Sequence, residues 1–181
     1  MTNYTERNAF FLFNTFRLSF LINKFSLNQP LHQMIIKLPF FNELNSDSLT
    51  DYYEVNIDIK QNKIQLDINF NETIINADRL ITLKGYLDAP QAIIDIAKKE
   101  IFNDYENGED VKEFLTFHIE ELDQSDLDSL LKHADKSLSL EQQILSVLKL
   151  RRIGFYPEDK DEFAVLDFTL NEEISQYLLV V

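Results

Sequence analysis

The sequence predicts an α+β fold: an antiparallel sheet from an N-terminal hairpin and C-terminal strands, packed with a central run of helices. Three observations predict it. Apolar residues alternate with polar ones between Tyr53 and Phe70, recur at three- and four-residue spacing from Ala77 onward, and give way to β-formers after Lys149. With 181 residues, 45% of them apolar, the chain can hide about two-thirds of its unfolded surface without covalent staples.

Taken in order, Tyr53, Val55, Ile57 and Ile59 form the first alternating run, and Ile64, Leu66, Ile68 and Phe70 the second. Split by Gln61-Asn62-Lys63, they read as a hairpin with one buried face. Asn56, Asp58, Gln65, Asp67 and Asn69 point the other way, so that face is expected to be wet. Asn76 is placed to cap a helix over 77–87, with Ala77, Leu80, Ile81, Lys84 and Leu87 on one face. Asp88 is placed to cap a second helix, with Pro90 in its first turn, where a missing N–H is harmless. Ile93, Ile94, Ala97, Ile101 and Tyr105 stripe that helix, and Asn107-Gly108 is expected to stop it in a left-handed conformation.

Asp110 opens a third helix whose stripe is Val111, Phe114, Leu115, Ile119 and Leu122. Ser125 and Ser139 are expected to cap two more, near 126–132 and 140–148. The segments KLRRIGFYP, EFAVLDFT and QYLLVV then read as strands. Phe163 and Val165 face one way and Ala164, Leu166 and Phe168 the other, which marks a central strand covered on both sides. No repeat or low-complexity tract divides residues 34–181, so a single α+β domain is expected there.

Residues 1–33 are expected to be an N-terminal extension. They hold Arg7, Arg17 and Lys24 against Glu6, and six of the fifteen Phe. Asn14, Arg17, Asn23 and Lys24 interrupt the apolar run, against a membrane span. No small-residue cleavage site follows, against a secretory signal. The whole chain is poor in Gly, Ala, Arg and Pro and rich in Ile and Asn, as AT-rich coding DNA produces. The extension is therefore expected to be translated upstream sequence, not native, with Met34 as the natural start; the alternative is an ordinary N-terminal helix packed on the domain.

Composition excludes several function classes. With no Cys there is no disulfide, thiolate metal site or Cys nucleophile. A net charge of −14 opposes general nucleic-acid binding, because phosphates need a basic surface. Three Gly allow no phosphate-cradling Gly-rich motif, and no nucleophile elbow or paired-His spacing occurs. No catalytic residue, cofactor or metal is expected, and nothing specifies an oligomeric state.

His118, on the core-facing stripe of the third helix, reads either as a general base near Glu121 or Asp123 or, preferably, as an amphipathic residue at the edge of the buried face. Residues 104–128 carry ten acids and one Lys, a net of −9. A calcium loop with Gly108 sixth needs a bidentate Glu where Phe114 stands, so that pattern fails. What remains is a solvated helix face, or an acidic surface for a basic protein partner through Glu120, Glu121, Asp123, Asp126 and Asp128. Arg151 and Arg152 point to opposite sides of their strand. They read as an anion or ligand site with Tyr156, or as ion pairs with Asp167 or Glu162. The carboxylate pairs Glu158/Asp159 and Asp161/Glu162 carry little information among 31 acids, and no Trp is present to stack on a sugar.

The motifs IKLPFFNELNSDSLTDYYEVNIDIKQNKIQLDINF and, more specifically, RIGFYPED followed by FAVLDFT at 152–169 resemble a family of small bacterial proteins known as domain of unknown function two thousand and four. The likeness covers about residues 35–181. It implies a compact α/β domain of cytoplasmic bacterial proteins and brings no activity, cofactor or catalytic residue. Members of that family tend to begin near the equivalent of Met34, so residues 1–33 depart from its pattern. The expected function is a non-enzymatic, intracellular acidic interaction domain, of immunity type against a basic toxin. The alternative is an enzyme or small-ligand binder near Arg151, Arg152, Tyr156 and Asp167.

Overall fold

The computed structural model describes residues 33–60 and 62–181, together with the backbone of 10–12. Apart from those three residues and Gln33, the expected extension lies outside the described residues. The elements are β1 (Phe10–Leu12), β2 (Ile35–Lys37), β3 (Glu43–Asn45), β4 (Tyr52–Ile59) and β5 (Asn62–Asn69). Then come the helices α1 (Ala77–Asp88), α2 (Pro90–Asn107), α3 (Asp110–Glu121), α4 (Gln124–Leu130) and α5 (Leu140–Ser146). The strands β6 (Lys149–Phe155), β7 (Ala164–Thr169) and β8 (Leu178–Val180) follow. The fold is a mixed α+β fold. The chain makes two compact units, one from the described part of Thr15–Ile96 with Arg152–Leu166, the other from β1, Ala97–Arg151 and Asp167–Val181.

In the first unit the strand order is β7-β6-β5-β4. The expected hairpin forms, but its turn is tighter than the sequence suggests. Ile59 pairs with Asn62, so Asn62 and Lys63 belong to β5, and Lys60 takes φ 49° beside the bend. The sheet is not wholly antiparallel: β5 and β6 run parallel, from Gln65↔Arg152 to Ile68↔Phe155. The chain returns to the sheet after its helices, and a long crossover permits the parallel direction that a hairpin cannot. Ile64, Leu66, Ile68, Ile153 and Phe155 are buried on one face, against which α1 lays Tyr86, 6.4 Å from the Phe155 ring.

Asn76 caps α1 as expected, its Oδ1 accepting from Asp78 N–H at 2.9 Å. The buried side of α1 is Leu80, Leu83 and Leu87, while Ile81 is 50% exposed. Asp88 closes α1 and accepts from Lys84; it does not open α2. A small antiparallel pair, β2 with β3, was not foreseen, because three-residue strands are too short to show alternation.

In the second unit β7, β8 and β1 are neighbours in that order, and β1 runs parallel to β8. Val111, Phe114, Leu115 and His118 form the buried stripe of α3, and Ile144 and Leu145 that of α5. Gly108 ends α2 without a positive φ. Its role is close approach: Gly108 N–H donates to the Asp104 carbonyl at 2.6 Å, and a Cβ would fall 2.7 Å from the Asp104 carboxyl carbon. The same Asp104 side chain accepts from Val111 N–H at 2.7 Å, joining the end of α2 to the start of α3. The cap of α4 is Asp123, which accepts from Asp126 N–H and Ser125 Oγ; Ser125 itself is not the cap. Ser139 caps α5 in a reciprocal capping box with Gln142.

Candidate functional site: the outward face of α3

Helical spacing divides α3 into two stripes. The inward one is apolar apart from His118; the outward one carries Glu109, Lys112, Glu113, Thr116, Phe117 and Glu120 around a shallow groove of about 430 Å3. The three carboxylates outnumber the one cation, and Lys112 Nζ lies 3.9 Å from Glu109 at the groove's start. Phe117 is half-buried, edge-on to Tyr177 with ring centroids 4.5 Å apart. The groove therefore joins an aromatic surface to a negative rim. Glu109 and Glu113 belong to the acidic stretch visible in the sequence. Phe117 and Thr116 were missed, because they fall between the core stripe and the acids and match no motif.

The five acids expected to face a partner are not equivalent. Glu120, Glu121 and Asp128 are exposed, with Asp128 accepting from Gln124 Nε2 at 2.9 Å. Asp126 is half-buried in the first turn of α4. Asp123 is engaged by its capping bonds: the Asp126 N–H, then the Ser125 hydroxyl, hold its carboxyl below the usual carboxylate range.

Behind this face His118 is 1% exposed, deeper than the edge position expected from the sequence. Its Nδ1 lies 2.8 Å from the Phe114 carbonyl, which can only accept, so Nδ1 carries the proton. Nε2 then accepts from the Ser175 hydroxyl at 2.8 Å, and Ser175 Oγ accepts in turn from Tyr177 N–H at 3.2 Å. Burial lowers the His118 pKa, against a smaller opposing effect of the Phe114 bond. A hydroxyl on an imidazole is the arrangement of general-base catalysis. Here both groups are buried and neither lines the groove, so the pair pins α3 to the segment before β8.

The arginines take ion-pair partners the sequence did not single out. Arg151 Nε bonds Glu172 at 2.8 Å. Arg152 grips Asp67 through Nε at 2.5 Å and Nη2 at 2.8 Å, and also donates to Tyr156 Oη at 2.9 Å. Asp67, expected to be wet, has no exposed surface. Its register partner across the parallel ladder is Gly154, and a Cβ there would stand 2.8 Å from Arg152 Cζ. The bare glycine gives the guanidinium room to lie flat between Asp67 and Tyr156. Asp167 is buried and engaged. Glu158 accepts from the N–H groups of Asn71 and Glu72, at 2.6 and 2.9 Å, and Asp159 from those of Asp161 and Glu162. These acids hold loops.

Among the described residues, no group of three or more His, Asp or Glu side chains is placed to hold a metal ion. Among the same residues, no helix is long and apolar enough to cross a membrane. No protein-family model matches the chain, and neither does any curated protein or solved structure.

Proposed function

We propose that this chain is a non-enzymatic acidic interaction domain that receives a basic protein segment on the outward face of α3 and the start of α4. The observation that carries this reading is the groove lined by Glu109, Glu113 and Glu120 together with the half-buried Phe117 ring. An arginine or lysine suits it, because its alkyl stem covers the ring while its charged head meets the carboxylates. Glu121 and Asp128 extend the negative potential and would steer a basic partner toward the groove. In its most specific form the partner is a basic toxin that this chain neutralises inside a bacterial cell.

The rival, a small-ligand site at Arg151, Arg152, Tyr156 and Asp167, is less favoured because the arginines already hold Glu172 and Asp67. Capture of partners with the intact chain tests the reading against a variant carrying Glu113→Gln, Glu120→Gln, Glu121→Gln and Asp128→Asn. A basic protein held by the parent at low salt should be released by the variant and by high salt.

A further inference from the structure

The first unit offers a second surface, independent of the α3 face. There β4 is the last strand of the sheet, and among the described residues no strand pairs with its outer edge. Hydrogen-bonded pairs alternate along an antiparallel ladder. Phe70 N–H donates to the Asp51 carbonyl at 2.8 Å, one position beyond the Tyr52↔Asn69 pair. Counting in twos, Tyr53, Val55, Ile57 and Ile59 exchange bonds with β5. The N–H and C=O groups of Tyr52, Glu54, Asn56 and Asp58 therefore point away from it.

The apolar face is also unfinished at this edge. Tyr53, Val55, Ile57 and Ile59 are only half-buried, whereas Ile64, Leu66 and Ile68 across the ladder are buried. One more strand would supply both the missing hydrogen-bond partners and the missing apolar neighbours.

Charge decides which strand fits. The opposite face of β4 exposes Glu54 and Asp58. A second copy laid edge to edge would bring the same acids together, and like charges across a ladder repel. A segment alternating basic with apolar residues would extend the Tyr53–Ile59 face and set its cations beside Glu54 and Asp58. We infer that β4 is a docking edge for an extended segment of another protein in which lysine or arginine alternates with apolar residues.

The test uses the full chain and a synthetic peptide alternating Lys and Val, with a block-ordered Lys/Val peptide and an alternating Glu/Val peptide as controls. Hydrogen exchange should slow at the amides of Tyr52, Glu54, Asn56 and Asp58 with the alternating Lys/Val peptide only. Asn56→Pro removes an outward N–H that the β4–β5 ladder does not use, so it should abolish this protection. Glu54→Gln with Asp58→Asn should weaken binding about twofold to thirtyfold, as expected for two cross-strand charge pairs. Absence of binding, protection confined to α3 and α4, equal binding of the block peptide, or an Asn56→Pro chain that still binds would each overturn the inference. Should Asn56→Pro not fold, Glu54→Lys with Asp58→Lys leaves the backbone alone. That variant must lose the Lys/Val peptide and accept the Glu/Val one, and failure to switch would overturn the inference equally.

Discussion

Asp67 in the first unit has no exposed surface and gives its oxygens to Arg152 and Asn69, while Glu113, Glu120 and Glu121 in the second stand in solvent. The same chemical group serves opposite ends. A buried carboxylate must be matched by a cation and donors, and removing the match leaves an uncompensated charge in a poor solvent. An exposed carboxylate keeps its water and adds little to stability, so its charge is available to a partner. Engagement by cations or by backbone N–H groups thus separates acids that hold the fold from acids that shape its potential.

The largest expected effect comes from breaking the buried side of this contrast. Asp67→Ala should destabilise by about 3 kcal/mol in urea unfolding, the lower end for a broken buried pair, because the Arg152 side chain keeps 24% of its surface exposed. Next, Ser175→Ala should cost about 1–3 kcal/mol by leaving His118 Nε2 buried without its donor.

His118 adds a pH signature of defined sign. Its folded pKa lies below the unfolded value of 6.5, so the fold binds fewer protons than the unfolded chain between the two. The stabilisation is complete above the unfolded value and is lost as pH falls from there through the folded pKa. A His118→Gln chain should show a flatter dependence of unfolding free energy on pH over that window.

A smaller loss, about 1–2 kcal/mol, is expected for Gly154→Ala, whose methyl would push the guanidinium off Asp67. On the exposed side, Glu120→Gln, Glu121→Gln and Asp128→Asn should leave the urea midpoint unchanged. Asp123→Ala should lower it, because that acid caps α4. Equal sensitivity of Asp123 and Glu121 would erase the distinction between capping and free acids within one cluster.

The parts of this molecule legible in the sequence are those set by near neighbours. Alternation from Tyr53 to Phe70 gave the hairpin, and Asn76 and Ser139 gave two helix starts, because each signal is complete within a few residues. Burial of Asp67 was not legible, since it depends on β6, which joins β5 some 85 residues later and brings Arg152 with it. Nor was the groove at Phe117, whose half-burial against Tyr177 comes from a distant segment. Phe40 takes φ 67°, a conformation that sequence rules assign to Gly or Asn, so the β2–β3 turn left no trace.

The central claim, that the carboxylates around Phe117 form a binding face, is met most directly by paired capture from the native host at low and high salt. The parent chain is compared with the Glu113→Gln, Glu120→Gln, Glu121→Gln, Asp128→Asn variant, after both are shown to unfold at the same urea midpoint. The account predicts one basic protein retained by the parent, released by salt and absent from the variant. The same protein held equally by both chains, or by the parent at high salt, would contradict it.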